Sequence, residues 1–313
     1  MKKNQETKKE RLNVYQMVTD KVVEQMQKGI IPWHRPWTGL SLQDGGAINY
    51  VSRKPYSLLN QMLLGKEGEW LSFKQVKQLG GSIKKGAKAG IVVFYGKYTY
   101  KKEVKPDGEE VTKFEEHTIP ILKYYNVFHI SDCTGIESKV QAADELPESN
   151  LQPVERAEAV INGYVEREQG LIFTNDKPSN RAFYRPATDE VVVPMLSQYT
   201  EVEEYYSTAF HELTHSTMHI NRCNRKAENE MAAFGSKNYS REELVAELGA
   251  AMLCTMTSLD SDKAFKNSVA YIQSWLKALK NDNKMIVWAA YRAEKAARYI
   301  MGEDINNNKE TEK

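Results

Sequence analysis

The sequence predicts an α+β protein in two parts, an N-terminal α+β domain and a C-terminal, mainly helical domain with a small sheet. Apolar residues recur at helical spacing in 11–28, alternate in strand-like runs between 91 and 130, and return to helical spacing in most of 202–301. At 313 residues the chain is long enough to form two hydrophobic cores.

Local signals place the N-terminal elements. Gly29 ends the first helix, and "KPYSLLNQMLLG" and "LSFKQVKQLGG" predict two further helices that each stop at glycine, with Ser72 as the N-cap of the second. The segments "GIVVFYGKYTYKKE" and "TKFEEHTIPILKYYNVFHI" are rich in β-branched and aromatic residues and flank the turn "KPDGEE". They predict a hairpin and at least one further strand.

A polar, acidic stretch without sustained periodicity, "ESKVQAADELPESNLQ", predicts the boundary between the two parts. We therefore predict a first domain over 1–137, a linker over 138–152, a second domain over 153–303 and a disordered tail over 304–313. The second domain is expected to contain a helix near 153–168, short strands at "LIFTN", "AFYRP" and "EVVVP", and helices near 202–219, 240–257, 262–280 and 283–301.

Composition excludes several classes of protein. The longest apolar runs are strand-length, far below the roughly 20 residues needed to cross a bilayer, and the N-terminus lacks an apolar signal core. We therefore expect a cytoplasmic protein with no membrane partner. Cys133, Cys223 and Cys254 are widely spaced and form no CxxC motif, which argues against a disulfide framework or a cysteine zinc site.

The charge is strongly asymmetric along the chain. Residues 1–105 contain 20 Lys and Arg against 8 Asp and Glu, a net charge of +12, and the remainder carries −11. A basic region of this size is suited to a polyanion, and nucleic acid is the commonest one in the cytoplasm. The alternative is a solvated basic face with no ligand.

The segment "IPWHRPW" places aromatic rings beside a cation on a backbone held extended by two prolines. Trp33 and Trp37 are predicted to stack on bases of single-stranded DNA while Arg35 contacts a phosphate. The alternative is that both tryptophans are core residues.

A second basic and aromatic group follows in the first domain. Its glycine-rich turn departs from the Walker A pattern, because Ala87 stands where the required lysine belongs, but its cations can still contact phosphates with salt-sensitive affinity. No spacing typical of a helix-turn-helix or a zinc finger is present, so reading of a duplex sequence is not indicated. The predicted DNA-contacting residues of this group are Lys74, Lys84, Lys85, Lys88 and Tyr95.

The segment "HELTH" predicts a metal site. His211 and His215 are four residues apart, so on a helix both project from one face and can bind one ion, with Zn²⁺ expected and Mn²⁺ as the alternative. Glu212 is placed to take a proton from water as the general base of a zinc peptidase. The strand "EVVVPML" before this helix is predicted to be an edge strand, where a peptide substrate would lie.

A catalytic zinc ion needs a third protein ligand. His219 is excluded, because eight helical residues advance about 12 Å and two such histidines cannot share an ion. The segment "EELVAE" resembles the thermolysin-like signature, which implies that Glu243 binds the metal and that Glu247 orients a histidine, while Glu242 points elsewhere. Glu247 stays open as the ligand in place of Glu243, and both glutamates could instead belong to an ordinary helix surface.

The motifs also form a recognisable ordered set. "IIPWHRPW", "NYVSRKPYSLLNQMLL", "WLSFKQVKQLGGSIKKGAKAGIVVFY", "YYNVFHISDCTGI", "HELTHSTMH" and "EELVAELGAAMLC" together resemble the ArdC-type antirestriction proteins, a family also found fused in plasmid conjugation primases. The resemblance implies an N-terminal domain that binds single-stranded DNA and a C-terminal zincin-like metallopeptidase domain. It also implies that a mobile genetic element carries the protein to protect entering DNA from host restriction.

Three functional alternatives remain open at this stage. The protein could act by occlusion of DNA, with a purely structural metal site, or it could cleave a host defence protein such as a restriction enzyme. The third alternative is a general zinc peptidase whose basic region serves solubility. That protein would show no preference for single-stranded DNA and little dependence of binding on salt.

Overall fold

The structure is a computed structural model that describes residues 13–33, 46–104, 113–139, 153–225, 237–264 and 269–303. Arg35 and Trp37, most of the predicted linker and the predicted tail lie outside this set. Within the described residues, the mixture of helices and short sheets confirms the predicted α+β class.

The first part begins with a helix and continues through short elements to a long hairpin. Asn13 caps the first helix, Gly65 ends the second with φ 61°, and Ser72 forms a capping box with Gln75 at the start of the third. The elements are α1 (Val14–Gln27), β1 (Ala47–Asn49), α2 (Leu58–Leu64), β2 (Gly68–Ser72), α3 (Phe73–Gln78), β3 (Ser82–Ile83), β4 (Gly90–Val104), β5 (Lys113–His129) and β6 (Cys133–Thr134).

Two sheets organise this part. The larger has the strand order β1-β2-β5-β4, in which β1 and β2 are parallel and the other pairs antiparallel, and the smaller pairs β3 with β6. The strand β4 pairs with β5 over its full length, from Gly90 opposite Val127 to Val104 opposite Lys113. The predicted hairpin is therefore confirmed, and β4 is an edge strand of its sheet.

The second part is mainly helical, as predicted. Its small sheet precedes the helix that carries "HELTH", and the predicted range 262–280 contains two helices of the described chain. The elements are α4 (Pro153–Arg167), β7 (Ile172–Thr174), β8 (Phe183–Arg185), β9 (Glu190–Val192), α5 (Val202–Ser216), α6 (Lys237–Met256), α7 (Ser261–Ala264), α8 (Val269–Asn281) and α9 (Met285–Ile300).

The order of the small sheet corrects one expectation. Its strands lie in the order β7-β9-β8, so β9, which contains the "EVV" of "EVVVPML", pairs on both sides. The prediction that this segment is an edge strand is wrong, because alternating apolar residues do not distinguish a central strand from an edge strand. The edges are β7 and β8, and β8 packs against α5.

One hydrophobic core joins both parts of the chain. It contains Val18 and Leu59 from the first part and Phe210 and Leu248 from the second, and α1 packs against α8 and α9. The Leu58 amide at the start of α2 donates to Glu294 Oε2 over 2.9 Å. The two parts are thus docked in this structure, while the predicted boundaries stay a prediction.

No helix in the described ranges combines the length and the apolar character that a bilayer crossing requires.

Candidate metal centre

The helix α5 holds its two histidines by burying its other faces. Phe210, Leu213 and Thr214 are fully buried, and the face that carries His211 and His215 is turned toward α6. The two rings lie with their centroids 4.8 Å apart. The packing of the other faces of α5 therefore fixes the positions of His211 and His215.

A close approach of α5 and α6 brings the third group into reach. At Gly249 an added Cβ would lie 2.6 Å from Thr214 Cγ2, so only glycine permits this contact. Ala246 and Ala250, both buried, continue the small-residue face of α6. This contact places Glu243, six residues earlier on α6, beside the histidines.

The structure brings the three predicted ligands together. His211 Nε2 and His215 Nε2 are 3.2 Å apart, and Glu243 lies 3.6 Å from the first nitrogen through Oε2 and 3.5 Å from the second through Oε1. Tetrahedral ligands at about 2.0–2.1 Å from one ion lie about 3.3 Å from each other. The donor set therefore fits a divalent ion with two imidazoles and one carboxylate, and the assignment of these residues as ligands stays a proposal.

The electrostatics of the site are dominated by carboxylates. Burial alone would lower the pKa of His211. Its contact with Glu243 and the charges of Glu247 and Glu212 have the larger, opposite effect and raise the pKa to about 9. A metal ion bound to His211 would replace that proton as the compensating positive charge, so its binding would release a proton. The site as built attracts cations.

Glu242 lies beside the other edge of the His215 ring. Its Oε1 lies 3.6 Å from His215 Nδ1, while His215 Nε2 faces Glu243. The expectation that Glu242 points elsewhere is wrong: neighbouring residues of α6 approach two different nitrogens of one imidazole. A carboxylate at this position fixes the ring orientation and its tautomer.

Arg225 anchors Glu242 in turn. The buried guanidinium donates to Glu242 through Nη2 over 2.8 Å and Nε over 3.3 Å, and to the Thr217 hydroxyl and the Thr214 carbonyl. Burial raises the pKa of Glu242, but Arg225 and His215 lower it to about 2, so the carboxylate is ionised. Sequence reasoning missed Arg225, because its partner is 17 residues away along the chain and no motif connects them.

Glu247 lies one turn after Glu243 on α6 and is held by a residue of α8. Its Oε2 accepts a hydrogen bond of 3.0 Å from the Tyr271 hydroxyl. Burial, with the Glu247 charge, raises the pKa of Tyr271 far above its usual range, although the Trp33 side chain acts in the opposite direction. Tyr271 therefore stays a donor. The predicted role of Glu247 in orienting a histidine remains a prediction, and Tyr271 was not found from the sequence.

Glu212, the predicted general base, is also buried, with 8% of its surface exposed. Burial raises the pKa of the nearby Tyr199, and the Glu212 charge adds to this effect; the same charge also contributes to the raised pKa of His211. Since it is adjacent to His211 on α5, its carboxylate belongs to the same cluster without being one of the three grouped ligands. This placement suits a proton acceptor beside a bound ion.

The predicted DNA-contacting residues are only partly placed as expected. Trp33 is 1% exposed and packs within the hydrophobic core, which contradicts its predicted stacking on a base, because neither ring face reaches solvent. Tyr95 is half-buried against the same core, 5.4 Å from the Tyr291 ring. The alternative of a core role holds for Trp33.

The predicted lysines are all exposed. Lys74 lies on α3, and Lys84, Lys85 and Lys88 lie between β3 and β4. The Lys84 Nζ donates to the Ser131 carbonyl over 2.7 Å, which fixes one of these cations beside the turn before β6.

Comparisons with known proteins match both parts of the chain. Residues 12–128 match the family model for the N-terminal domain of the anti-restriction factor ArdC, and residues 164–292 match the model for a zincin-like metallopeptidase. Two crystal structures of the antirestriction ArdC protein from the R388 plasmid, one metal-free and one Mn(II)-bound, are similar to the structure of this chain. Their TM-scores are 0.65 and 0.66 and their identities 30% and 28%; each comparison covers 95% of this chain and 99% or 100% of the other.

Curated relatives give the same result over most of the chain. Two DNA primases TraC of Escherichia coli are 30% identical to it over 301 and 309 residues, which is 92% of this chain but only 20% and 27% of theirs. An uncharacterized protein of Sinorhizobium fredii is 27% identical over 301 residues and is covered to 91%. The chain thus spans about a fifth and about a quarter of the length of the two primases. From the full-length match to the R388 structures and the two family models, the chain belongs to the ArdC family of antirestriction proteins, with an ArdC-type N-terminal region and a zincin-like C-terminal region.

Proposed function

We propose that this protein protects entering DNA of a mobile genetic element from host restriction, that its N-terminal region binds single-stranded DNA, and that its C-terminal region holds a catalytic divalent ion. The observation that carries the metal part is the triangle of His211, His215 and Glu243, whose spacing fits one ion. The Mn(II)-bound state of the R388 relative supports a divalent ion, with Zn²⁺ and Mn²⁺ as the two choices.

The residues around the triangle have separate tasks in a peptidase reaction. When bound, the ion supplies Lewis-acid chemistry to a peptide carbonyl. Glu212 accepts a proton from the attacking water and returns it to the departing amine. Glu242, held by Arg225, keeps the His215 ring in place, and the Tyr271 hydroxyl holds Glu247. If protection depends on cleavage, a restriction enzyme or another host defence protein is the expected substrate class.

The DNA part is supported by the charge of the N-terminal region and by the exposure of its lysines. The +12 of residues 1–105 lies in a region that presents Lys74, Lys84, Lys85 and Lys88 to solvent. Such cations bind phosphates without reading a sequence, so binding would not depend on the sequence of the entering strand.

Binding of a fluorescent oligonucleotide tests this part. We expect the protein to bind a single strand more tightly than a duplex of the same length, with an affinity that falls as salt rises, by a slope of about 0.7 in log K per phosphate contact. In parallel, plasmid transfer should increase in recipients with an active restriction system and not in recipients without one. Equal, salt-independent binding of both DNA forms, or no effect on transfer, would contradict the proposal and favour the general zinc peptidase.

A further inference from the structure

The β4–β5 hairpin has two faces with different surroundings. Alternate residues of a strand point to opposite faces. On one face Val93, Tyr95 and Leu122 pack against the hydrophobic core. The other face carries Phe94, Tyr98 and Tyr100 of β4, and the register places Tyr125, Lys123, Ile119 and His117 of β5 on it. This second face turns away from the core over the outer part of the hairpin.

Aromatic rings form a row along the second face. Tyr98 and Tyr100 are 54% and 38% exposed, with ring centroids 6.1 Å apart and ring planes inclined by 20°. The His117 ring continues the row, 5.8 Å from Tyr100 at 25°. We call these three nearly parallel rings, together with Phe94 and Tyr125 at the end of the hairpin nearer β2, the aromatic stripe.

Gly96 lies between Phe94 and Tyr98 on the same face of β4. A Cβ at this position would lie 2.5 Å from Phe94 Cε1, so the Phe94 ring covers the glycine backbone. Tyr125, 46% exposed, stands opposite Val92 at the end nearer the sheet. Tyr98, Tyr100 and His117 therefore form one group of neighbouring rings, and Phe94 and Tyr125 lie on the same face of the hairpin.

Cations accompany the stripe. Lys123 is exposed on the same face opposite Phe94, and Lys102 is exposed beyond Tyr100, opposite Glu115 in the register. On the other face Lys101 lies 3.9 Å from Glu116. Lysines on an edge strand discourage pairing with a strand of another protein chain, whereas they favour a polyanion.

We propose that the aromatic stripe is the base-stacking surface of the single-stranded DNA site, with Lys123 as a phosphate contact. The inference rests on the proposed function and assigns the stacking role, which the buried Trp33 cannot perform, to Tyr98 and Tyr100. Aromatic rings stack on any base, and flanking cations follow the backbone, so this combination binds single strands without sequence preference.

The test measures binding of a labelled oligothymidylate of about 16 nucleotides to the full chain. Tyr98→Ala with Tyr100→Ala should raise the Kd at least about tenfold and leave the salt slope unchanged, because the rings carry no charge. Tyr98→Phe with Tyr100→Phe keeps both rings and should change the Kd less than about twofold.

A control variant changes the opposite face of the hairpin. Tyr124→Ala removes a ring of similar exposure, 40%, from that face, and the variant should bind like the wild type. Lys123→Ala should reduce the salt slope by about 0.7.

Photo-crosslinking of a 5-iodouracil oligonucleotide to wild-type protein gives a readout that does not depend on any variant folding. Adducts mapped by mass spectrometry at Tyr98 or Tyr100 support the assignment. If the wild type binds single-stranded DNA but the alanine pair binds equally well, or if adducts lie elsewhere, the stripe assignment is overturned while the proposed function stands. No binding by the wild type overturns both. A dimer that the alanine pair converts to a monomer, with unchanged DNA binding, shows a self-association surface and also overturns the assignment.

Discussion

Glu212→Gln is expected to abolish peptide hydrolysis while the protein keeps its bound ion. Glutamine matches glutamate in size but cannot accept a proton, and loss of a general base costs about 10²-fold to 10⁴-fold in rate. The ion remains because Glu212 is outside the three grouped ligands. The measurement is cleavage of casein and of a purified restriction enzyme, with metal content determined on the same samples. Glu201→Gln, at an exposed position just before α5, is the matched control and should cleave like the wild type.

The same variant decides between the two mechanisms of protection. If Glu212→Gln protects a transferred plasmid as well as the wild type, protection comes from occupation of the DNA and not from proteolysis. If protection is lost while binding to single-stranded DNA is retained, cleavage of a host protein is the mechanism. A wild type that cleaves neither protein while it holds its ion contradicts the peptidase reading and leaves a structural metal site.

Arg225→Met is expected to destabilise the fold by about 3–5 kcal/mol, because it leaves the ionised Glu242 buried without its partner. Both side chains are at least nine-tenths buried and joined by two hydrogen bonds. Urea unfolding measures the free energy of unfolding. Arg185→Met removes the partner of Glu190 from a partly exposed pair and should cost no more than about 1 kcal/mol. Adding Glu242→Gln to Arg225→Met should recover part of the loss.

Acid unfolding gives a second readout of the same pair. Arg225 and His215 hold the pKa of Glu242 at about 2, below the value of about 4.3 in an unfolded chain. The stability that this shift contributes is present above the unfolded pKa and is lost as the pH falls toward 2. Arg225→Met should therefore flatten the dependence of stability on pH between about 4 and 2. An unchanged slope, or a loss no larger than that of Arg185→Met, would contradict the account of Glu242.

The elements defined by local signals could be predicted from the sequence. The Ser72 side chain caps the start of α3, and Gly65, with its backbone freedom, ends α2, both as predicted. The alternation of apolar and polar residues identifies the β4–β5 hairpin. The four-residue spacings likewise put His211 and His215 on one face of α5, and Glu243 and Glu247 on one face of α6, although the meeting of these two faces depends on packing between the helices. These features depend on a few consecutive residues, so a sequence contains them directly.

Features that depend on distant parts of the chain could not be predicted. The partner of Glu242 is Arg225 and that of Glu247 is Tyr271, and neither pair has a spacing that marks it. The composition of "IPWHRPW" suits an exposed segment as well as a buried one. In the structure Trp33 packs in the hydrophobic core that joins the two parts of the chain. The central position of β9 is set by pairing with β7 and β8, which lie before it in the sequence.

The most direct test of the account is elemental analysis of the protein purified without chelator, for the wild type and for His211→Ala with Glu243→Ala, with binding of single-stranded DNA measured on the same samples. We expect about one divalent ion per wild-type chain, its loss in the double variant, and unchanged DNA binding in both. A wild type without bound metal, or a double variant that retains it, would contradict the metal site at His211, His215 and Glu243.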